Sequence, residues 1–230
     1  MGHKKHIVVL SGAGVSAESG LQTFRDSDGL WNGYDVYEVA SPDGWHRNPQ
    51  LVLDFYNARR KDVAAASPNA AHIGLAQLEK DFDVTIITQN IDDLHERAGS
   101  TSVLHLHGEI FKMRSVANDS LILEIRGDII LGDRAADGYQ LRPHIVWFGE
   151  AVPMMEKAAA VLPNCDYFVV IGTSLQVYPA ASLLYYAPEG IPKFIIDKKI
   201  PVTEKQTNVQ LIEMPATEGV GELRKILLQI

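Results

Sequence analysis

Six short apolar runs constrain the fold more than any other feature of this chain. They are His6 to Leu10, Val84 to Thr88, Val103 to Leu106, Tyr167 to Ile171, Lys193 to Ile196 and Val209 to Ile212. Most are too continuously apolar to turn one face to water, which is how strands buried on both faces of a parallel sheet read. Helical stretches fall between or after them, at Asn69 to Lys80, Pro153 to Leu162, Ala180 to Ala187 and Gly219 to Leu228. Strands alternating with helices predict crossover units and an α/β fold built on a doubly wound parallel sheet.

Two stretches break the alternation. Leu21 to Ser67 holds no obvious strand, being rich in turn residues early and helical from Gln50 to Ala66. Glu109 to Leu141 holds short β-like pieces, Leu121 to Ile125 and Ile129 to Leu131, among Gly and Asp. Both read as insertions into one domain spanning 1–230. Residues 21–67 and 109–141 then form a smaller lobe, and 1–20, 68–108 and 142–230 the larger one. The apolar cluster Leu121, Ile122, Leu123, Ile125, Ile129, Ile130 and Leu131 is the expected core of the smaller lobe.

Charge and cysteine content exclude several classes. The net charge is −8, a poor match for nucleic acid, which needs a basic footprint. The one cysteine, Cys165, permits neither an intrachain disulfide nor a four-cysteine zinc site. No apolar run approaches the roughly 20 residues that span a bilayer, and the start of the chain lacks the form of a signal peptide. The expectation is a cytoplasmic protein with no membrane partner. Oligomeric state is not legible.

The first strand runs into Ser11-Gly12-Ala13-Gly14-Val15-Ser16, with a further glycine at Gly20. A strand, a glycine turn and a helix start place backbone N–H groups where a pyrophosphate can sit, the Rossmann-like arrangement. The spacing departs from the ordinary dinucleotide fingerprint, so a plain glycine turn stays open on these residues alone.

Four further blocks extend the pattern. Gly12 to Ser16, continued by Ser19-Gly20-Leu21 and Phe24-Arg25, resembles the opening signature of the sirtuin family of NAD-dependent protein lysine deacylases. Thr88-Gln89-Asn90-Ile91-Asp92-Asp93-Leu94-His95 and Leu106-His107-Gly108 resemble its second and third signatures. Arg142 to Glu150 resembles its peptide-groove strand, and Gly172-Thr173-Ser174-Leu175, with Val177 and Pro179, its last nucleotide turn.

The resemblance implies a reaction in which an acyl-lysine protein or peptide and NAD meet between the lobes. Its products are nicotinamide, free lysine and O-acyl-ADP-ribose. By the same resemblance His107 is the general base for a ribose hydroxyl, a role that suits a group titrating near cellular pH. Asn90 and Asp92 join it as catalytic residues. Asp92 and the Ile91 backbone hold the nicotinamide amide, Ala13 leaves room for its ring, and Phe24 covers the reacting face. Gln89 and Asn90 address the ribose, Arg25 the phosphates. Gly12, Gly14, Ser16, Gly172, Thr173 and Ser174 supply further cofactor contacts. Asp197, where many relatives carry Asn, accepts from the adenosine ribose. Val146, Trp147, Phe148, Gly149 and Val177 line the substrate groove.

Read without the resemblance, Phe24 is a core residue and Gln89 to Asp92 a strand end followed by a helix cap. His105 and His107, two apart on a strand, share a face that suits a metal pair, but no third ligand follows in a recognisable pattern. An NAD glycohydrolase or ADP-ribosyltransferase, a noncatalytic NAD or ADP-ribose module and a hydride-transfer dehydrogenase are the rival functions.

Two departures from the family pattern carry weight. Most sirtuins close a zinc site with two Cys-x-x-Cys pairs, which here would fall near Ser115 and Asn118 and near Arg134 and Asp137. None of these is cysteine, so no structural zinc is expected. Second, Tyr56 and Arg59 stand three apart and share a helical face. They resemble the Tyr-x-x-Arg of the class that removes succinyl and malonyl groups, whose distal carboxylate needs a cationic fork and a hydroxyl. Ser27 is small enough to keep such a pocket deep, and Arg60 reads as solvated.

Overall fold

The computed structural model describes residues 4–23, 30, 31, 33–200 and 208–229. Phe24, Arg25 and Ser27 lie outside the described residues. In chain order the elements are β1 (His6–Ser11), α1 (Ala13–Ala17), β2 (Leu30–Trp31), β3 (Tyr34–Asp35), α2 (Val36–Val39), α3 (Pro42–Arg47), α4 (Pro49–Ala65), α5 (Ala70–Leu78), β4 (Asp83–Thr88), α6 (Leu94–Arg97), β5 (Val103–His105), β6 (Gly108–Ser115), β7 (Ile122–Glu124), β8 (Leu141–Ile145), α7 (Met155–Val161), β9 (Tyr167–Ile171), β10 (Lys193–Asp197), β11 (Val209–Glu213) and α8 (Ala216–Leu227).

The six apolar runs form one sheet in the order β11-β10-β9-β1-β4-β5, and every neighbouring pair is parallel. From β1 the chain winds outward through β4 to β5, then returns to β9 on the other side and winds outward again. The order therefore reverses between β1 and β9. In open α/β sheets that reversal opens a crevice at the carboxyl ends of the strands.

Alternation along β1 shows why the strands read as continuously apolar. Ile7 and Val9 face one layer, with Ala71, Leu75 and Leu78 of α5 and Val220, Leu223 and Leu227 of α8. Val8 and Leu10 face the other, with Ala158 of α7 and the buried Leu162, Leu183 and Leu184. Leu183 and Leu184 belong to a 3-10 segment, Ala180–Tyr185, where an ordinary helix was expected. Among the described residues no helix is long and apolar enough to cross a membrane.

The second sheet is antiparallel, in the order β7-β6-β8. Its centre, β6, is absent from the sequence reading, and Arg142 to Ile145, expected in the larger lobe, pair with β6 instead. The predicted core of this lobe also needs correction. Ile129 is fully buried, but Ile122, Leu123, Ile130 and Leu131 are exposed, and Ile129 to Leu131 form no strand. Leu121 and Ile125 are partly buried beside Leu53, Ile129 and Leu141.

Buried polar contacts add to this small apolar cluster. Asn57 of α4 accepts from the Ile129 backbone N–H and donates to the Ile129 carbonyl, both at 2.9 Å. Arg60, expected in solvent, is 1% exposed. Its guanidinium donates to the Ile110 carbonyl at 2.9 Å, to Asn57 Oδ1 at 2.8 Å and to the Gly127 carbonyl at 3.1 Å. Burial pulls its pKa down, with Asp128 opposing. At two of the positions where zinc cysteines fall in most sirtuins, the Ser115 hydroxyl donates to Asp137 Oδ2 at 2.6 Å.

Candidate active site

The crevice at the switch point is built first by two turns. Gly12 N–H donates to the Ile171 carbonyl at 3.0 Å, and Gly14 N–H to the Gly172 carbonyl at 2.8 Å. A Cβ on Gly12 would stand 2.6 Å from Thr173 Cβ, and one on Gly14 2.8 Å from the Gly172 oxygen. Gly172 has φ +61°. The turns after β1 and β9 interlock, and only residues without a side chain allow it. Two of the N–H groups expected to face a pyrophosphate are thus committed to the protein itself. Ala13, Gly14, Ser16, Gly172 and Thr173 line the cavity above. Gly12 and Ser174 do not, and the Ser174 hydroxyl is buried without a partner among the described residues.

The loop after β4 carries the polar centre. Asn90 Nδ2 donates to the Gly12 carbonyl at 3.1 Å and to Ser16 Oγ at 2.9 Å. The Ser16 hydroxyl donates a hydrogen bond to Asp92 Oδ2 at 2.9 Å, and the other Asp92 oxygen accepts from Leu94 N–H at 3.1 Å. Asp92 therefore does what a helix-cap residue does for α6 while holding the glycine turn through Ser16. Burial pushes its pKa up, and the Ser16 and Leu94 hydrogen bonds oppose the rise. Gln89 Nε2 donates to Thr173 Oγ1 at 3.1 Å, tying this loop to the β9 turn.

Two histidines brace the same loop from below. His105, the last residue of β5, contacts the Asn90 carbonyl through Nδ1 at 3.0 Å and Glu96 through Nε2 at 2.7 Å. His107 lies beyond the end of β5 and contacts the Gln89 carbonyl through Nδ1 at 3.0 Å. A carbonyl only accepts, so Nδ1 of His107 carries the proton and Nε2 keeps the lone pair in the neutral ring. Burial lowers its pKa, the Gln89 carbonyl opposing. Gly108, at φ +83°, follows where any side chain would collide with the His144 carbonyl. Among the described residues no group of three His, Cys, Asp or Glu side chains could hold a metal ion.

The lobe built on α4 closes the crevice. The cavity has a volume of about 440 Å³, and Gln89, Asn90, Ile91, Asp92 and His107 line it from the sheet side. Val146, Trp147, Phe148, Gly149 and Val177 line it too, as do Tyr56 and Arg59 of α4. Arg59 is 5% exposed. It donates to the Gln22 carbonyl at 3.2 Å, stands 4.0 Å from Asp62 and, among the described residues, leaves Nε without a partner. Burial lowers its pKa, Asp62 and Asp92 opposing.

At the far end stand Asp197, Lys198 and Ala216. Sequence reasoning missed Glu18 here. Its carboxylate accepts from the Ala216 and Thr217 N–H groups and the Thr217 hydroxyl. No local pattern signals it, because its partners lie almost 200 positions away in the chain.

A reversal point carrying interlocked glycine turns defines an α/β protein of the dinucleotide-binding class. Comparison with known proteins makes the assignment narrower. The Sir2 family pattern matches residues 12–179. An "NAD-dependent protein deacylase" of Bacteroides thetaiotaomicron is 51% identical over 97% of this chain and 98% of its own. One of Helicobacter pylori, with the same description, is 52% identical over 98% of this chain and 99% of its own. Among solved structures, a Sir2 homologue–NAD complex superposes with TM-score 0.85 at 37% identity, covering 97% of this chain and 91% of that one. A Sir2 with a deacetylated p53 peptide and acetyl ADP-ribose gives 0.82 at 28% identity, covering 97% and 94%. The chain belongs to the Sir2 family; it is a sirtuin.

Proposed function

We propose that this chain uses NAD to remove succinyl and malonyl as well as acetyl groups from protein lysines, yielding nicotinamide and O-acyl-ADP-ribose. The observation that carries the acyl preference is Arg59. A nearly buried guanidinium lines the cavity with one carbonyl at 3.2 Å, no carboxylate closer than 4.0 Å among the described residues, and an unpartnered Nε. A carboxylate at the end of an acyl chain supplies the missing acceptor.

Bound NAD would supply a ribose carbon to take the amide oxygen with nicotinamide as the leaving group, and a water molecule would supply the oxygen that lets the lysine amine depart. The chain's residues do the rest. Asn90, Ser16 and Asp92 form one hydrogen-bonded run that holds the loop against the glycine turn, so polar groups face the ribose and the amide without reorganising. His107, neutral and with Nε2 free to accept, takes the ribose hydroxyl proton. The acyl-lysine enters between Val146–Gly149 and Val177. Phe24 and Arg25 are assigned to the nicotinamide side and the phosphates, and Asp197 to the adenosine ribose. We read the catalytic unit as one domain of two lobes with the reaction between them. Its partners are acyl-lysine proteins, not nucleic acid, and a lone buried cysteine suits the reducing cytoplasm.

The test is the ratio of kcat/KM for succinyl and acetyl forms of one peptide. Arg59→Met should lower that ratio about 30-fold or more, because it strands a carboxylate in a partly apolar pocket. Equal loss on both substrates would make Arg59 structural and end the reading.

A further inference from the structure

Tyr56 is fully buried, and its hydroxyl has one neighbour that decides its chemistry. Trp147 Nε1 stands 3.1 Å from Tyr56 Oη. An indole nitrogen only donates, so the phenol oxygen accepts there and must aim its own proton elsewhere. Among the described residues no protein acceptor lies within hydrogen-bond reach of that proton. Burial also pushes the Tyr56 pKa well up, with the Trp147 bond opposing, so the hydroxyl keeps its proton.

Trp147 is itself held on two sides. Its backbone N–H donates to Glu150 Oε2 at 2.8 Å. The Arg142 guanidinium, bound to both Glu150 oxygens at 2.6 and 3.2 Å, lies 3.2 Å from the centre of the indole ring. One carboxylate thus fixes the backbone of Trp147 and the cation that covers its face. The rigidity reaches the cavity through the indole N–H.

The geometry points to Trp147 as a positioning residue for acyl selectivity: it occupies the acceptor side of the Tyr56 hydroxyl and turns the phenolic proton toward the end of the acyl chain. It acts through Tyr56. A hydroxyl free to rotate can turn lone pairs toward an incoming carboxylate; one that already accepts an N–H on one side is biased to present its proton on the other. The inference rests on the carboxylate reading of the pocket. It adds that Trp147→Phe, which keeps an aromatic ring but removes the donor, would blunt the selectivity.

The experiment measures kcat and KM on succinyl and acetyl forms of one peptide with Trp147→Phe, Tyr56→Phe, the double variant and Arg59→Met. Thermal melting of each variant shows that it is folded. Trp147→Phe should lower the succinyl-to-acetyl ratio at least about threefold, mainly through KM for the succinyl peptide. The double variant should match Tyr56→Phe within about twofold, because the indole N–H has nothing left to orient. If Trp147→Phe leaves the ratio unchanged, or if the two losses multiply, Trp147 is only a wall of the groove and the inference is overturned. If Arg59→Met also fails to move the ratio, the carboxylate reading falls first and takes the inference with it. A readout independent of turnover is the Trp147 indole N–H resonance, which should shift in Tyr56→Phe; an unmoved signal contradicts the hydrogen bond.

Discussion

His107 combines three properties a base needs: a fixed tautomer, a depressed pKa and a place on the cavity wall. His107→Ala should reduce deacylation by about 10² to 10⁴ while NAD still binds, since the hydrogen bonds that join Asn90, Ser16 and Asp92 to the glycine turn do not involve its ring. Isothermal titration and turnover on the same sample check both halves, and half of wild-type turnover would remove His107 from the role. The pH profile follows from the direction of the shift. A base must be neutral, and burial holds this one neutral to lower pH than an ordinary histidine near 6.5. The rate should hold as pH drops through 6.5 and fall only below it. An acid limb centred above pH 7 would contradict this assignment.

Helices α5 and α6 meet through two histidines whose rings are 4.9 Å apart at 61°. His72 Nδ1 accepts from the Asn69 N–H at the start of α5, so charging the ring would break one half of the capping box, the other half being the Asn69 side chain on the Ala71 and His72 N–H groups. His95 Nε2 meets Ser11 Oγ at 2.9 Å at the end of β1. Burial depresses both, His72 to about 4 and His95 to about 3. The native state therefore binds fewer protons here than the unfolded chain between those values and 6.5. Stability is full above 6.5 and drains as pH falls, by up to about 1.4 kcal/mol per pH unit for each ring. Glu18, Glu96 and Glu150 have lowered pKa values and act at lower pH, so they do not mask the window. His105, raised because the Glu96 contacts outweigh burial, contributes the other way, losing stability as pH rises. The melting temperature should drop between pH 7.5 and pH 5, and His72→Gln should remove part of that drop, the rest staying with His95, His107 and His144, which burial also depresses. A variant as acid-sensitive as the wild type would clear the pair of this role.

For the whole molecule the expectation is an antiparallel lobe that folds without zinc. Elemental analysis should find no stoichiometric zinc, and a chelator should leave melting and turnover unchanged; one tightly bound zinc per chain would overturn this. Arg60 instead links α4 to β6 and to the Gly127 turn. Arg60→Met leaves the buried Ile110 carbonyl without this donor and takes from Asn57 Oδ1 one of its two donors, the Ile129 N–H remaining. Urea unfolding should show a loss of at least about 2 kcal/mol. A loss under about 0.5 kcal/mol, the range of a surface substitution, would mean that apolar packing alone holds the lobe.

Local pattern in the sequence determined the parallel sheet and the turns at its reversal. A strand buried on both faces is apolar at every position, as Val8, Val9 and Leu10 show, and needs no distant partner to be read. The glycines, Asn90, Asp92 and His107 were legible as blocks, and the fold sets Asn90 and Asp92 against the glycine turn while His107 braces the Gln89 carbonyl beside them. Tertiary structure decided what depends on partners far along the chain. Strand β6 reads as mixed polar because Arg114 is buried beside the distant Glu150. Arg60 looks like a surface cation until the Ile110 and Gly127 carbonyls enclose it. Ile130 and Leu131 look like core, yet both side chains are exposed. The direction of the Tyr56 proton is set by an indole 91 positions away. Short-range sequence encodes backbone class and turn geometry; whether a polar group is buried, and which way its hydrogen points, is settled only when its partner arrives.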